Sequence, residues 1–103
     1  VSSMEPTIFE YMGIRITFYS NEHLPIHIHA FKGGKEVVVK FYLKDEKIYR
    51  TTYESKRGEF TNKEMNDLKA FVGRYKYHIV MLWRQYFELG ISEIKPIVLT
   101  QKI

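Results

Sequence analysis

The chain reads as an α+β protein: an antiparallel sheet of four to five strands packed against one long C-terminal helix, followed by a short extended tail. Three observations predict this. Apolar residues alternate with a period of two through much of the first half. Short turn-forming pairs punctuate that alternation. From Thr61 onward the apolar residues change to steps of three and four. Strands first and a helix after them favour α+β over the interleaved order of α/β proteins. A length of 103 residues suits one domain over 1–103, large enough to build a core without a metal or disulfide to hold it.

Taken in order, Thr7 to Tyr11 is a short strand, and Gly13 turns the chain into the next. There Ile14, Ile16 and Phe18 point one way while Arg15, Thr17 and Tyr19 point the other. Residues 26–32 alternate again, with Ile26, Ile28 and Ala30 on one face and His27, His29 and Phe31 on the opposite one. Gly33-Gly34 then turns the chain into Glu36 to Leu43, because two glycines take the positive φ that tight hairpins require. Phosphate-binding glycine loops lead into a helix, and this pair joins two strands. Asp45-Glu46 forms the following turn, and Ile48 to Tyr53 is a further strand before a polar break, Glu54 to Glu59.

The helix start is marked by Thr61 and Glu64, the spacing of a capping box. Met65, Leu68, Phe71, Val72, Tyr75, Ile79, Leu82, Trp83, Tyr86 and Phe87 describe one apolar stripe, and Gly90 is the expected C-terminal cap. His78 falls at the stripe's edge as a boundary residue, and Arg74 and Arg84 on a solvated face. Pro96 restricts the last stretch to an edge strand or a packing arm.

Composition removes several function classes. With no cysteine, thiolate chemistry and Cys-type zinc modules are excluded, so any zinc-like site must use histidine, carboxylate and water. No apolar run approaches the roughly 18 residues that span a bilayer, and the N-terminus lacks the pattern of a secretory leader. A cytoplasmic location is therefore expected, with no membrane partner. Val1-Ser2-Ser3 ahead of Met4 reads equally as native or as an added remnant. The net charge of +4 and a pI near 9.3 would suit a polyanion, but the cations are dispersed among acids rather than gathered into a tract.

The densest chemistry is Asn21-Glu22-His23-Leu24-Pro25-Ile26-His27-Ile28-His29-Ala30, which holds three of the four histidines. Two histidines one residue apart in a strand project from the same face, and a turn containing Pro25 can fold His23 over toward them. Alternation predicts that His27 and His29 stand on the open face of the sheet, with Ile26 and Ile28 toward the helix. Three imidazoles can bind one cation and leave positions for water, and Glu22 would then serve as a fourth ligand, an orienting partner or a general base. Zinc, manganese and iron all suit a mixed histidine and carboxylate set. The alternatives are a metal-free acid–base site and ordinary solvent-facing histidines.

Pro6-Thr7-Ile8, Gly13-Ile14-Arg15-Ile16 leading to Tyr19, the histidine segment through Ala30, and Gly33-Gly34 resemble the small bacterial proteins grouped as domain of unknown function 4160. A helix carrying Trp83 and the tail Ile94-Lys95-Pro96-Ile97 are similar to that family's C-terminal pattern. Carried over position by position, the resemblance implies that His23, Pro25, His27 and His29 matter, flanked by Asn21 and Glu22. Glu22 stands where the family has Asp, which lengthens the carboxylate, and Ile26 where it has a second Pro, which loosens the turn. The resemblance implies a genetic setting like that of toxin–antitoxin modules or mobile gene cassettes, and no settled activity.

Three functions are therefore in view. The first is a metal-binding or acid–base site of Glu22, His23, His27 and His29, with His23, His27 and His29 as metal ligands, serving hydrolysis or phosphoryl chemistry. The second is an interaction module that docks a small partner protein or forms a homodimer. The third is nucleic-acid binding through scattered cations and exposed tyrosines.

Overall fold

The computed structural model describes residues 7–18, 25–90 and 95–103. Six strands and one helix follow in the order β1 (Thr7–Tyr11), β2 (Ile14–Thr17), β3 (Ile26–Lys32), β4 (Lys35–Lys44), β5 (Lys47–Arg57), α1 (Asn62–Phe87) and β6 (Ile97–Leu99). They form a single sheet of order β5-β4-β3-β2-β1-β6, antiparallel except where β6 runs parallel to β1. The expected α+β class holds, with one strand more than predicted.

The three hairpins share one device. Met12-Gly13, Gly33-Gly34 and Asp45-Glu46 each place two successive residues at positive φ, between 51° and 80°. Paired positive φ values give a turn whose twist matches that of the strands, so each hairpin closes in two residues. Glycine takes this region without strain, and Asp45 is among the side chains that tolerate it best.

The polar stretch after Tyr53 is not a break. β5 continues through Glu54, Ser55, Lys56 and Arg57, paired with β4 as far as Arg57↔Glu36. The reason is its position: β5 is an edge strand with no fully buried residue, Ile48 and Tyr53 only partly covered by the core and Glu54 to Arg57 exposed on both sides, so that end need not alternate. Pro96 does precede an edge strand, as expected. The parallel partner of β6 is β1, in the register Phe9↔Ile97 to Tyr11↔Leu99, and the Tyr11 hydroxyl accepts a hydrogen bond from the Ile103 amide at 3.0 Å.

The capping box forms as predicted. Thr61 Oγ1 accepts from the Glu64 amide at 3.1 Å, and Glu64 Oε1 accepts from the Thr61 amide at 2.8 Å. Lys35 Nζ donates to the same carboxylate at 2.5 Å, which ties the helix start to β4. These contacts, Lys35 first and Thr61 second, hold Glu64 down to about 2. The helix ends at Phe87 with Glu88 as its C-cap, and Gly90 takes its positive φ two residues later.

The helix lies on one face of the sheet. Ile14, Ile16, Ile26, Ile28, Ala30, Val37, Val39 and Phe41 join Leu68, Phe71, Val72, Ile79 and Trp83 in one buried apolar cluster. Phe71 meets Phe9 edge-on at 5.1 Å and stacks on Tyr11 at 5.8 Å. Burying each such side chain contributes about 1.5–3 kcal/mol. His78 is half-buried at the margin, edge-on to Phe9 at 5.5 Å, which is the boundary role expected of it. Arg84 pairs with Glu46 at the β4–β5 turn, and Arg74 is exposed. No helix among the described residues is long and apolar enough to cross a membrane.

Candidate functional site

Five polar or charged side chains are buried among the described residues, and four of them, Thr17, His27, His29 and Glu36, share the sheet face away from α1. The register explains the gathering. Thr17 on β2 pairs with His29, His29 pairs with Val38 on β4, and the tight Gly33-Gly34 hairpin sets Phe31 opposite Glu36. Residues paired across antiparallel strands share a face, and diagonal neighbours remain within reach of long side chains. Glu36 therefore crosses the diagonal to His29.

His29 Nδ1 lies 2.7 Å from Glu36 Oε2, with both side chains buried. His27 Nδ1 lies 2.8 Å from the Pro25 carbonyl oxygen. A carbonyl or carboxylate oxygen only accepts, so in both contacts Nδ1 carries the hydrogen and donates it. In the neutral rings the lone pair then belongs to Nε2. The two rings sit 5.5 Å apart between centroids at an interplanar angle of 74°. Phe31 stacks beside His29 at 6.4 Å, and the Arg15 guanidinium lies 4.8 Å over the Phe31 ring, forming a cationic rim.

The alternation of β3 holds residue by residue, but the face carrying the histidines is not open. His27 is 8% and His29 3% exposed. Alternation reports which side of a sheet a residue takes and is silent on whether that side is covered. β3 is moreover a central strand, flanked by β2 and β4, so its side chains have neighbours on both sides.

Asn21, Glu22 and His23 lie outside the described residues, so the expected convergence of His23 on His27 and His29 lies outside them as well. Among the described residues no group of three or more His, Asp or Glu side chains is placed to hold a metal ion. His27 and His29 supply two donors, and a third would have to come from elsewhere. Two imidazoles on one tetrahedral ion, with metal–nitrogen bonds of about 2.0–2.1 Å, place their centroids roughly 5 Å apart. An Nδ1–H held by a carboxylate or a backbone carbonyl is the usual outer support of a metal-binding histidine.

Two members of the cluster escaped the sequence reading. Glu36 carried a usable signal: a two-residue turn at Gly33-Gly34 forces the pairing Phe31↔Glu36 and so brings the carboxylate beside His29. Thr17 carried only its place in the alternation of β2.

The family model described as Domain of unknown function (DUF4160) matches residues 13–84, from the first hairpin turn through most of α1. The chain belongs to this family. The matched span contains the whole histidine segment together with Thr17 and Glu36, as the resemblance of Asn21 to Ala30 implies. No curated protein and no solved structure matches the chain. Membership in the DUF4160 family brings no reaction with it.

Proposed function

We propose that the chain binds a divalent cation through Nε2 of His27 and of His29, with His23 as a further ligand and Glu22 as the proton-transfer group, and uses it in hydrolysis or phosphoryl chemistry. The observation that carries this reading is the double anchoring of Nδ1, by Glu36 on one ring and by the Pro25 carbonyl on the other. Each anchor selects the tautomer that offers Nε2 and holds the ring in place beforehand, so little ordering remains to be done on binding. Zinc, manganese and iron are the candidate ions. A bound cation of this kind supplies Lewis acidity and a water of lowered pKa. Around it, Glu36 would stabilise positive charge on His29, and Phe31 with its Arg15 cap would limit the approach of solvent.

Elemental analysis of protein purified without an affinity tag tests the proposal. The expected result is near-stoichiometric metal in the native chain and its loss in His27→Ala. Metal-free native protein, with His27→Ala indistinguishable from it, would sink the proposal.

A second reading, an interaction module that pairs with a small partner protein or with a second copy, draws support from β5. Among the described residues this eleven-residue strand pairs only with β4, and it carries Tyr49 at 66% exposure. A dimer in size exclusion that dissociates on Tyr49→Ser would favour it.

A further inference from the structure

The edge of the sheet formed by β5 is its longest strand, and the sequence of that strand is complementary to itself. Among the described residues β5 pairs only with β4, so alternate residues along it turn backbone N–H and C=O groups away from the sheet. Edges are commonly blunted by a short strand or a proline, and β5 has eleven residues and no proline. Its lysines stand at the ends, Lys47 and Lys56. The Ile48 amide is taken by the Tyr77 hydroxyl at 3.0 Å. From Arg50 to Ser55 the pairing with β4 is unbroken, and it shifts register beyond either end.

Thr52 lies at the middle of the strand. Arg50, Thr52 and Glu54 pair with Tyr42, Lys40 and Val38, and so share the face away from α1. Arg50 and Glu54 are exposed, and neither forms a salt bridge among the described residues. Two copies of a strand related by a two-fold axis perpendicular to the sheet run antiparallel, and the axis sets residues of one face opposite each other. With the axis at Thr52, Arg50 of each copy stands opposite Glu54 of the other. One symmetric contact thus makes two ion pairs. An axis at Thr51 sets neither charge against its opposite, one at Tyr53 sets Arg50 against Lys56, and one at Arg50 or Glu54 sets like against like. We infer that β5 pairs with β5 of a second copy, antiparallel about Thr52, joining two six-stranded sheets into one. The inference rests on the reading of the chain as an interaction module and names both the partner and the register. Pairing uses up both β5 edges, so the assembly closes at the dimer. Lys47 opposite Arg57 at each end confines it to the central residues.

Sedimentation equilibrium of the full chain at low salt, from micromolar to millimolar concentration, tests it. The native chain should dimerise, and added salt should weaken the dimer by screening its exposed ion pairs. Arg50→Glu and Glu54→Arg should each weaken it about tenfold, two attractive pairs having become two repulsive ones. Both sites are exposed, so both variants should melt as the native monomer does. Mixed in equal amounts, the two variants should recover the dimer, because each glutamate then meets an arginine. A native dimer indifferent to both charge reversals, or no recovery in the mixture, overturns the register on β5 and leaves the pairing of copies to another face. A native chain that stays monomeric throughout overturns the inference and leaves the edge to a partner of different sequence.

Discussion

The face of the sheet under α1 and the face beyond it are lined by alternate residues of the same strands, yet they bury opposite chemistry. Along β3 the helix side takes Ile26, Ile28 and Ala30, and the far side takes His27 and His29. The first face is almost entirely apolar, and its buried Tyr11 hydroxyl is satisfied by the Ile103 amide. The second buries Thr17, two histidines and Glu36, each of which gives up water that only specific partners replace. The helix face is what folding requires. The far face bears a desolvation cost that folding does not, and such costs concentrate where a protein does its chemistry.

Two substitutions separate the faces. The larger effect on the fold is expected from Phe71→Ala, which empties the centre of the ring cluster with Phe9 and Tyr11. Truncating a buried phenylalanine costs about 3–5 kcal/mol, measurable as a lower urea midpoint. The protein that remains folded should bind zinc as the native chain does. A parallel loss of affinity in that folded fraction would mean that the two faces are one coupled unit.

Glu36→Gln should do the reverse. The amide oxygen can still accept from His29 Nδ1, so stability should fall by only about 1–2 kcal/mol. Loss of the charged support should weaken metal binding about 10- to 100-fold. Unaltered affinity alongside a fall of several kcal/mol would make Glu36 a structural residue only.

Much of the helix face was legible in the sequence because burial writes a period. Ile14 with Ile16 and Ile26 with Ile28 repeat every second residue, the stripe from Leu68 to Trp83 follows the helical turn, and Thr61 with Glu64 marks where the helix starts. Segments exposed on both sides write none, which is why β5 runs past Tyr53 into residues that looked like a loop. The pairing of β6 with β1 depends on where α1 delivers the chain, and no local pattern encodes that.

The candidate site was legible in part for a related reason. Alternation assigns His27 and His29 to a common face but cannot report that the face is buried, since the period of a strand carries no record of what packs on it. Glu36 reaches His29 through the register of a hairpin, seven residues on, rather than through a motif. Thr17 reaches it from a different strand altogether.

The central claim is that the protein holds both histidines with the hydrogen on Nδ1 and offers Nε2. Long-range proton–nitrogen correlation spectra of the imidazoles, recorded at alkaline pH where the rings are neutral, read this directly. The account predicts a protonated Nδ1 and a lone-pair Nε2 for both His27 and His29. A hydrogen on Nε2 of either ring would contradict it.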